Sequence, residues 1–266
     1  MIATDQVLNG VFKIIEEQNK NYENTTSIQI VNNIPSTDQI PIENPNHWLK
    51  IPDVVCVFAD MINSTQLSAS KHDKSSASIY QYFTGTIIRL FHEFDAKYID
   101  VKGDGVFALF DKGEEYRAIA AAVTVKTFIE IEFTKKVGRF TNIDIGGHIG
   151  IDQKTVLVKK IGLKSYKGRS DRQNEVWAGK PINMAAKLAS LTKAGELIVS
   201  DRFFKKINNQ LVRKSCGCNG NGELSNLWEE IDLSSENKFD FDKAYKLKSI
   251  WCSIHGKEYC LKILQL

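Results

Sequence analysis

Val54-Val55-Cys56-Val57-Phe58-Ala59-Asp60-Met61-Ile62-Asn63-Ser64-Thr65 is an apolar strand that ends on a carboxylate and turns through short polar residues into a helix. Further along, Lys102-Gly103-Asp104-Gly105 places a second aspartate between two more apolar runs. Its glycines supply the φ > 0 positions of a tight turn, so Asp104 sits at a hairpin tip. Each feature alone is ordinary, since an aspartate ahead of Ser-Thr is often a helix cap and Gly-Asp-Gly is often only a turn. Together they set two carboxylates at neighbouring strand ends, with the N–H groups from Ile62 to Thr65 and the helix dipole facing the same spot. Carboxylates are hard oxygen ligands suited to magnesium or manganese, and the backbone of Met61 or Ile62 can add to them. The pattern is that of a site for a metal-bound triphosphate.

Outward from this stretch the chain alternates strands and helices. The strand near 53–60 leads to a helix near 64–95, in which Ile79, Phe83, Ile87, Leu90, Phe91 and Phe94 form one apolar stripe. Strands near 97–102 and 105–110 follow, then a helix near 113–135, then strands near 142–151 and 154–161 as a second hairpin. The order strand, helix, strand, strand, helix, strand predicts an α+β, ferredoxin-like βαββαβ layer with helices on one sheet face. Pro181 suits the first turn of another helix, running to about Leu191, and Gly195 resets the chain for a short strand from Glu196 to Val199. Residues 1–47 read as an N-terminal helix and a polar arm broken by Pro35, Pro41 and Pro45. The central domain spans 48–207, and 208–266 is a small C-terminal extension with strand-like runs at 224–231 and 259–264.

The chain has 266 residues, 42% hydrophobic and 25% charged, which is ordinary for a globular protein with a sizeable core. A formal net charge of +3, evenly spread, gives no reason to expect a nucleic acid or an anionic membrane as partner. The sequence has neither a long apolar span nor a secretory leader, so a cytoplasmic protein is expected.

Four ordered segments resemble the class III nucleotidyl cyclases over residues 51–207. Val57-Phe58-Ala59-Asp60-Met61-Ile62-Asn63-Ser64-Thr65 is similar to the family's first metal motif, and Val101-Lys102-Gly103-Asp104-Gly105-Val106-Phe107-Ala108-Leu109-Phe110 to its second. Gly147-His148-Ile149-Gly150-Ile151 resembles the following strand, and Gly179-Lys180-Pro181-Ile182-Asn183-Met184-Ala185-Ala186-Lys187-Leu188 the substrate-facing helix. The resemblance implies two divalent cations, manganese or magnesium, held by Asp60 and Asp104. It also implies attack of a ribose 3′-hydroxyl on the α-phosphate, with loss of pyrophosphate. In this family the site lies across a head-to-tail homodimer, so Asn183 and Lys187 of one copy would complete the site of the other. An arginine is usual where this chain has Lys187, which keeps the charge but loses the planar fork.

Base choice in the family rests largely on the positions held here by Asp100 and Val176, and the pair matches neither adenylate nor guanylate cyclases. A carboxylate at Asp100 can accept from the uracil ring N–H or the cytosine amino group. Trp177 narrows a pocket toward one ring, and Phe58, on the strand face of Asp60, corresponds to a base-lining position. Core packing is the competing role for Phe58 and Trp177. Asn174-Glu175-Val176-Trp177-Ala178-Gly179, together with the cysteine-bearing tail, resembles the bacterial Pycsar pyrimidine cyclases. That implies UTP, ahead of CTP, as substrate and a cyclic product read by a separate effector protein in antiphage defence. An adenylate cyclase with an atypical pocket, or a non-catalytic nucleotide-binding regulator, are the alternatives.

Cys216, Cys218, Cys252, His255 and Cys260 supply five soft or borderline ligands where tetrahedral zinc needs four. A structural zinc fastening the extension to the domain is one reading. Reduced thiols packed in a small subdomain are the other.

Overall fold

A computed structural model describes residues 8–70, 72–141, 143–163, 172–218 and 222–266. Asp5, which the sequence offers as a cap of the first helix, and residues 164–171 of the polar, basic loop that the sequence suggests from Lys164 to Asn174 lie outside the described residues. In chain order the elements are α1 (Asn9–Glu23), β1 (Ser27–Ile30), β2 (His47–Ile62), α2 (Ser64–Ser70), α3 (Asp73–Glu93), β3 (Tyr98–Lys102), β4 (Gly105–Phe110) and α4 (Glu115–Phe128). After a π-helical turn at Ile129–Phe133 come α5 (Thr134–Thr141), β5 (Gly146–Gly162), β6 (Gln173–Gly179), α6 (Lys180–Ser190), β7 (Leu197–Ser200), α7 (Asp201–Phe204) and α8 (Gln210–Arg213). The chain closes with β8 (Trp228–Asp232), β9 (Lys243–Leu247) and α9 (Gly256–Ile263). Two compact units result, one of Met1–Pro52 with Val156–Ala178 and one of Asp53–Thr155 with Gly179–Leu266.

In the larger unit the strands run β3-β4-β2-β5-β7-β9-β8. The first four carry the expected ferredoxin-like arrangement, with β2 between β4 and β5. Strand alternation sorts their side chains: Val55, Val57, Ala59 and Met61 of β2 join Val106, Ala108 and Phe110 of β4 in the core, and Phe58, Asp60 and Ile62 face the other way. Against the core face, α3 buries Phe83, Ile87 and Phe91 at the helical spacing read from the sequence. On α4 the buried residues include Ala118 to Val123, so it is enclosed on nearly every side. Each fully buried phenylalanine contributes about 1.5–3 kcal/mol of transfer free energy, which anchors the sheet from behind.

Several elements differ from the sequence expectation for physical reasons. The long first helix is two: α2 ends at Ser70 and His72 is extended (φ −63, ψ 147) ahead of α3, in a polar run that offers no apolar face. The second helix continues past 135 through the π turn, which keeps both Ile129 and Phe133 buried. In place of the expected hairpin, Gly146–Gly162 form one strand. Asp152 and Gln153 look like turn residues, yet both are buried in the strand: the Gln153 amide nitrogen donates to Glu115 at 2.7 Å and to the carbonyl of Asp53 at 3.1 Å, and Asp152 pairs with Arg202. The run 259–264 lies in and just past α9, not in a strand, and turns Ile263 and Leu264 to the core.

In the smaller unit, β1 pairs in parallel with the start of β2, from Ser27 opposite His47 to Ile30 opposite Lys50. The arm is therefore partly a strand. Beside it, β6 pairs with β5, and Leu163 N–H donates to the carbonyl of Arg172 at 2.8 Å. Among the described residues no helix is long and apolar enough to cross a membrane.

Candidate active site

The register of β2 and β4 builds the centre of the site. Val55 to Ala59 pair antiparallel with Phe110 to Val106, so the next residue along, Asp60, comes level with Gly105. A Cβ on Gly105 would lie 2.7 Å from Phe58 Cζ and 3.0 Å from Asp60 Oδ1. Glycine lets the strand approach without displacing either side chain, and Gly103 (φ +67) makes the turn that holds Asp104, one residue before the Gly105 that stands level with Asp60. The nearby Lys102 ammonium is engaged elsewhere, 2.7 Å from the Asp100 carboxylate. Among the described residues no Lys or Arg pairs with Asp60 or Asp104. Two hard carboxylates without a cationic partner are a donor set that fits divalent magnesium or manganese.

Among the described residues the basic side chain nearest Asp60 is His148 of β5, with Nε2 3.6 Å from Oδ2, beyond hydrogen-bond reach. Its Nδ1 is buried without a partner. The sequence motif contained His148 but gave no reason to single it out; the cue available was alternation, which puts His148 and Gly150 on the face opposite core residues Ile149 and Ile151. After Asp60 the chain takes a left-handed residue, Asn63 (φ +61), whose amide donates to the Asp144 carbonyl at 2.6 Å. Asn63 is thereby committed to holding the turn. Ser64 and Thr65 open α2, which has seven residues, so local N–H groups outweigh any helix dipole there.

Directly opposed residues in an antiparallel pair share a face. Phe58 opposes Phe107, and Phe107 opposes Asp100, so the three form one row across β2, β4 and β3 beside the carboxylates. Asp100 also accepts from the N–H of Val101 at 2.8 Å. Val176 and Trp177 belong to the smaller unit, on β6. Val176 is 36% exposed, whereas Trp177 is buried and its indole N–H donates to Glu175 at 3.2 Å.

Helix α6 lies on β5 through small residues. A Cβ on Gly150 would sit 1.9 Å from the Ala185 carbonyl oxygen and 2.7 Å from the Ala189 nitrogen. With Met184, Ala185, Leu188 and Ala189 turned inward, Asn183 and Lys187 share the outer face, one helical turn apart. Lys187 Nζ donates to the Lys238 carbonyl at 2.9 Å. Among the described residues, no hydrogen bond or ion pair within the chain joins Asn183 or Lys187 to Asp60 or Asp104.

The segment that receives Lys187 is itself pinned by Asp240, which the sequence did not mark. Asp240 takes Lys180 at 2.9 Å, Arg202 at 2.9 Å and Lys154 at 3.0 Å, and Arg202 in turn clasps the fully buried Asp152. Burial raises the Asp240 carboxyl, but hydrogen bonds from Lys180, Arg202 and Lys154 outweigh it and hold the group far below the ordinary carboxylate range. A depressed folded-state value stabilises the fold above the unfolded value of 3.8 and is lost as pH falls through the folded one. Asp240→Asn should therefore lower Tm at pH 7, with the gap to wild type narrowing below pH 3.8. Thermal melts across that range check it, and a gap constant with pH would show that the carboxylate charge is not what holds the segment.

No family model matches the chain. Proteins named uridylate cyclase do: that of Propioniciclava tarda is 36% identical over 233 residues, covering 85% of this chain and 73% of its own length. A uridylate cyclase of Micromonospora echinofusca is 36% identical over 235 residues, with the same two shares. This chain is a class III nucleotidyl cyclase. Its fold is shared by the crystal structure of the adenylyl cyclase CyaB from P. aeruginosa, at a TM-score of 0.58 over 75% of this chain and 95% of that one, with 14% identity.

The cyclase carries a second cluster in its C-terminal extension. Cys216, Cys218, Cys252 and His255 bring three sulfurs and a ring nitrogen within 4.8 Å of one another. Cys260 stands apart on α9, packed against the core. The Cys252 thiol, approached by the backbone N–H groups of His255 and Ile254, is drawn down to about 6. Cys218, hydrogen-bonded with Cys216, is pushed up to about 12.

Proposed function

We propose that the enzyme converts UTP to 3′,5′-cyclic UMP and pyrophosphate in a head-to-tail homodimer. The observation that carries the substrate is the 36% identity, over 85% of the chain, to proteins named uridylate cyclase. In the reaction the ribose 3′-oxygen bonds to the α-phosphorus, the bond to the β-phosphate oxygen breaks, and the 3′-hydroxyl proton leaves to solvent. Asp60 and Asp104 would hold two divalent ions, which lower the hydroxyl's pKa and neutralise the departing phosphates. The N–H groups at Asn63 to Thr65 receive phosphate oxygens. Asn183 and Lys187 of the second copy orient the ribose and the triphosphate, a role that fits their outward face and, among the described residues, the lack of a carboxylate partner for either within one chain.

Asp100 is the base reader in this proposal. The row Phe58, Phe107, Asp100 gives a flat apolar floor ending in an acceptor, which suits the ring N–H of uracil. The cyclic nucleotide then acts on a separate effector protein in antiphage defence, a role supported by the resemblance to the Pycsar cyclases alone.

Incubating the purified protein with UTP, CTP, ATP or GTP and manganese, and identifying products by mass, tests the assignment. Cyclic UMP should dominate; product from ATP alone, or from CTP alone, refutes it. Asp100→Asn should cut kcat/KM for UTP roughly 10- to 100-fold, the value of one hydrogen bond to a charged acceptor, with manganese dependence unchanged. Unaltered selectivity would remove Asp100 from the base pocket.

A further inference from the structure

We propose that Cys216, Cys218, Cys252 and His255 form a closed tetrahedral zinc site that clips the C-terminal extension to helix α4. Cys218 Sγ lies 3.2 Å from Cys216 Sγ, 3.7 Å from Cys252 Sγ and 2.8 Å from His255 Nδ1. Zinc bonds of about 2.3 Å to sulfur and about 2.0 Å to nitrogen set tetrahedral donors roughly 3.5–3.8 Å apart, so the Cys218–Cys252 pair is already at ligand spacing and the Cys218–Cys216 and Cys218–His255 pairs reach it by opening about 0.5–0.7 Å, within side-chain rotation.

The donors come from two segments, one after α8 and one before α9, so their meeting is a tertiary event. Each segment is shaped for it. Gly217 takes φ +80, and a Cβ there would strike the Gly222 backbone at 2.8 Å, so the turn holding Cys216 and Cys218 tolerates no side chain between them. On the other side the backbone N–H groups of Ile254 and His255 point at Cys252 sulfur, the arrangement that supports a bound thiolate.

Disulfide chemistry accounts for the cluster poorly. Three sulfurs cannot pair off, and a disulfide leaves the imidazole against the third thiol with nothing to do. Zinc uses all four donors, one each, and leaves no open coordination position, which marks a structural site. Thiolates and imidazole also select a softer ion than the carboxylates at Asp60 and Asp104, so the two metal classes are sorted by ligand chemistry. Cys56, fully buried in β2, and Cys260, packed on the core, lie outside the set.

The structural consequence follows from the residue beside the cluster. Trp251 donates its backbone N–H to Thr127 Oγ1 at 3.1 Å and its indole N–H to Thr124 Oγ1 at 2.8 Å, both on α4. Zinc at Cys252 and His255 would hold Trp251 in that position and tie the segment after α8 to it.

The test is the metal content of the untagged, full-length protein from zinc-supplemented cells. About one zinc per chain is expected by mass spectrometry of the elements, released when a mercurial modifies the thiols. Cys218→Ser and Cys252→Ser should lose it, whereas Cys260→Ser should keep it. If the first two variants do not fold, replacing zinc by cobalt(II) in the wild type should give thiolate-to-metal absorption and the visible bands of tetrahedral cobalt. Wild-type protein without zinc and without those bands overturns the site, as does a disulfide within the cluster. Loss of zinc from Cys260→Ser overturns the ligand set. None of these readouts depends on nucleotide cyclisation, so failure of the UTP assignment would leave them intact.

Discussion

Alanine at Asp60 or at Asp104 is expected to abolish cyclic nucleotide formation while leaving the protein folded. Each carboxylate is one half of a donor pair, and neither has an ammonium or guanidinium partner among the described residues that could keep the site neutral. Metal stabilisation of a transferring phosphoryl group is worth several kcal/mol, and each 1.36 kcal/mol is tenfold in rate, so a loss of at least about a thousandfold is expected. Stability should barely move. The Asp60 side chain is 31% exposed and among the described residues has no ammonium or guanidinium partner, and Asp104 is half-buried beside an exposed hairpin tip. Three measurements decide the matter: product formation with manganese, manganese binding followed by its spin signal, and the melting temperature. Asp60→Asn, which keeps the shape and loses the charge, should fail almost as badly as alanine. The dimer reading gives a further readout. Mixing Asp60→Ala protein with Asn183→Ala protein should restore activity, because one of the two sites in the mixed dimer has all its groups. Full activity in either aspartate variant would contradict the two-carboxylate site, and no recovery on mixing would contradict sharing between copies.

Much of the candidate site's local geometry was legible in the sequence because its parts are local. An apolar strand of period two fixes which side Phe58 and Asp60 face, and a Gly-Asp-Gly turn places Asp104 without reference to anything distant. Helical spacing alone gives Asn183 and Lys187 a common face. What the sequence hid depends on partners far along the chain. Asp152 and Gln153 read as turn residues because isolated polar side chains are costly to bury; Arg202 for Asp152 and Glu115 for the Gln153 amide nitrogen offset much of that cost, and neither pairing has a local signature. Asp240 is one acid among many until Lys154, Lys180 and Arg202 gather round it. In the same way, 259–264 has the composition of a strand, and only the core that receives Ile263 and Leu264 makes it a helix. His148 lay inside a recognised segment, and its approach to Asp60 depends on the pairing of β5 with β2.

Adding one methyl group at Gly150 is expected to cost more than any other single-carbon change on the site face. The group would have to occupy a point 1.9 Å from the Ala185 carbonyl oxygen, with the Ala189 nitrogen at 2.7 Å. Both are backbone atoms of α6, so no rotamer change relieves the clash and the helix itself must move by about 1 Å or more. Overpacking of this kind destabilises by roughly 1–3 kcal/mol, or several degrees in Tm for a chain of this size. The effect on turnover should be larger than the effect on stability. Asn183 and Lys187 ride on α6, and a displacement near 1 Å of groups that position a substrate costs roughly a hundredfold. Gly150→Ala should therefore retain manganese binding at Asp60 and Asp104, melt a few degrees low, and lose most of its kcat. Gly138 provides the contrast: it lies on α5, a Cβ there meets nothing within 4 Å, and Gly138→Ala should raise stability by about 0.4–1 kcal/mol with activity unchanged. If Gly150→Ala melts and turns over like the wild type, α6 is not held against β5 at that point, and the placement of Asn183 and Lys187 would have to come from elsewhere.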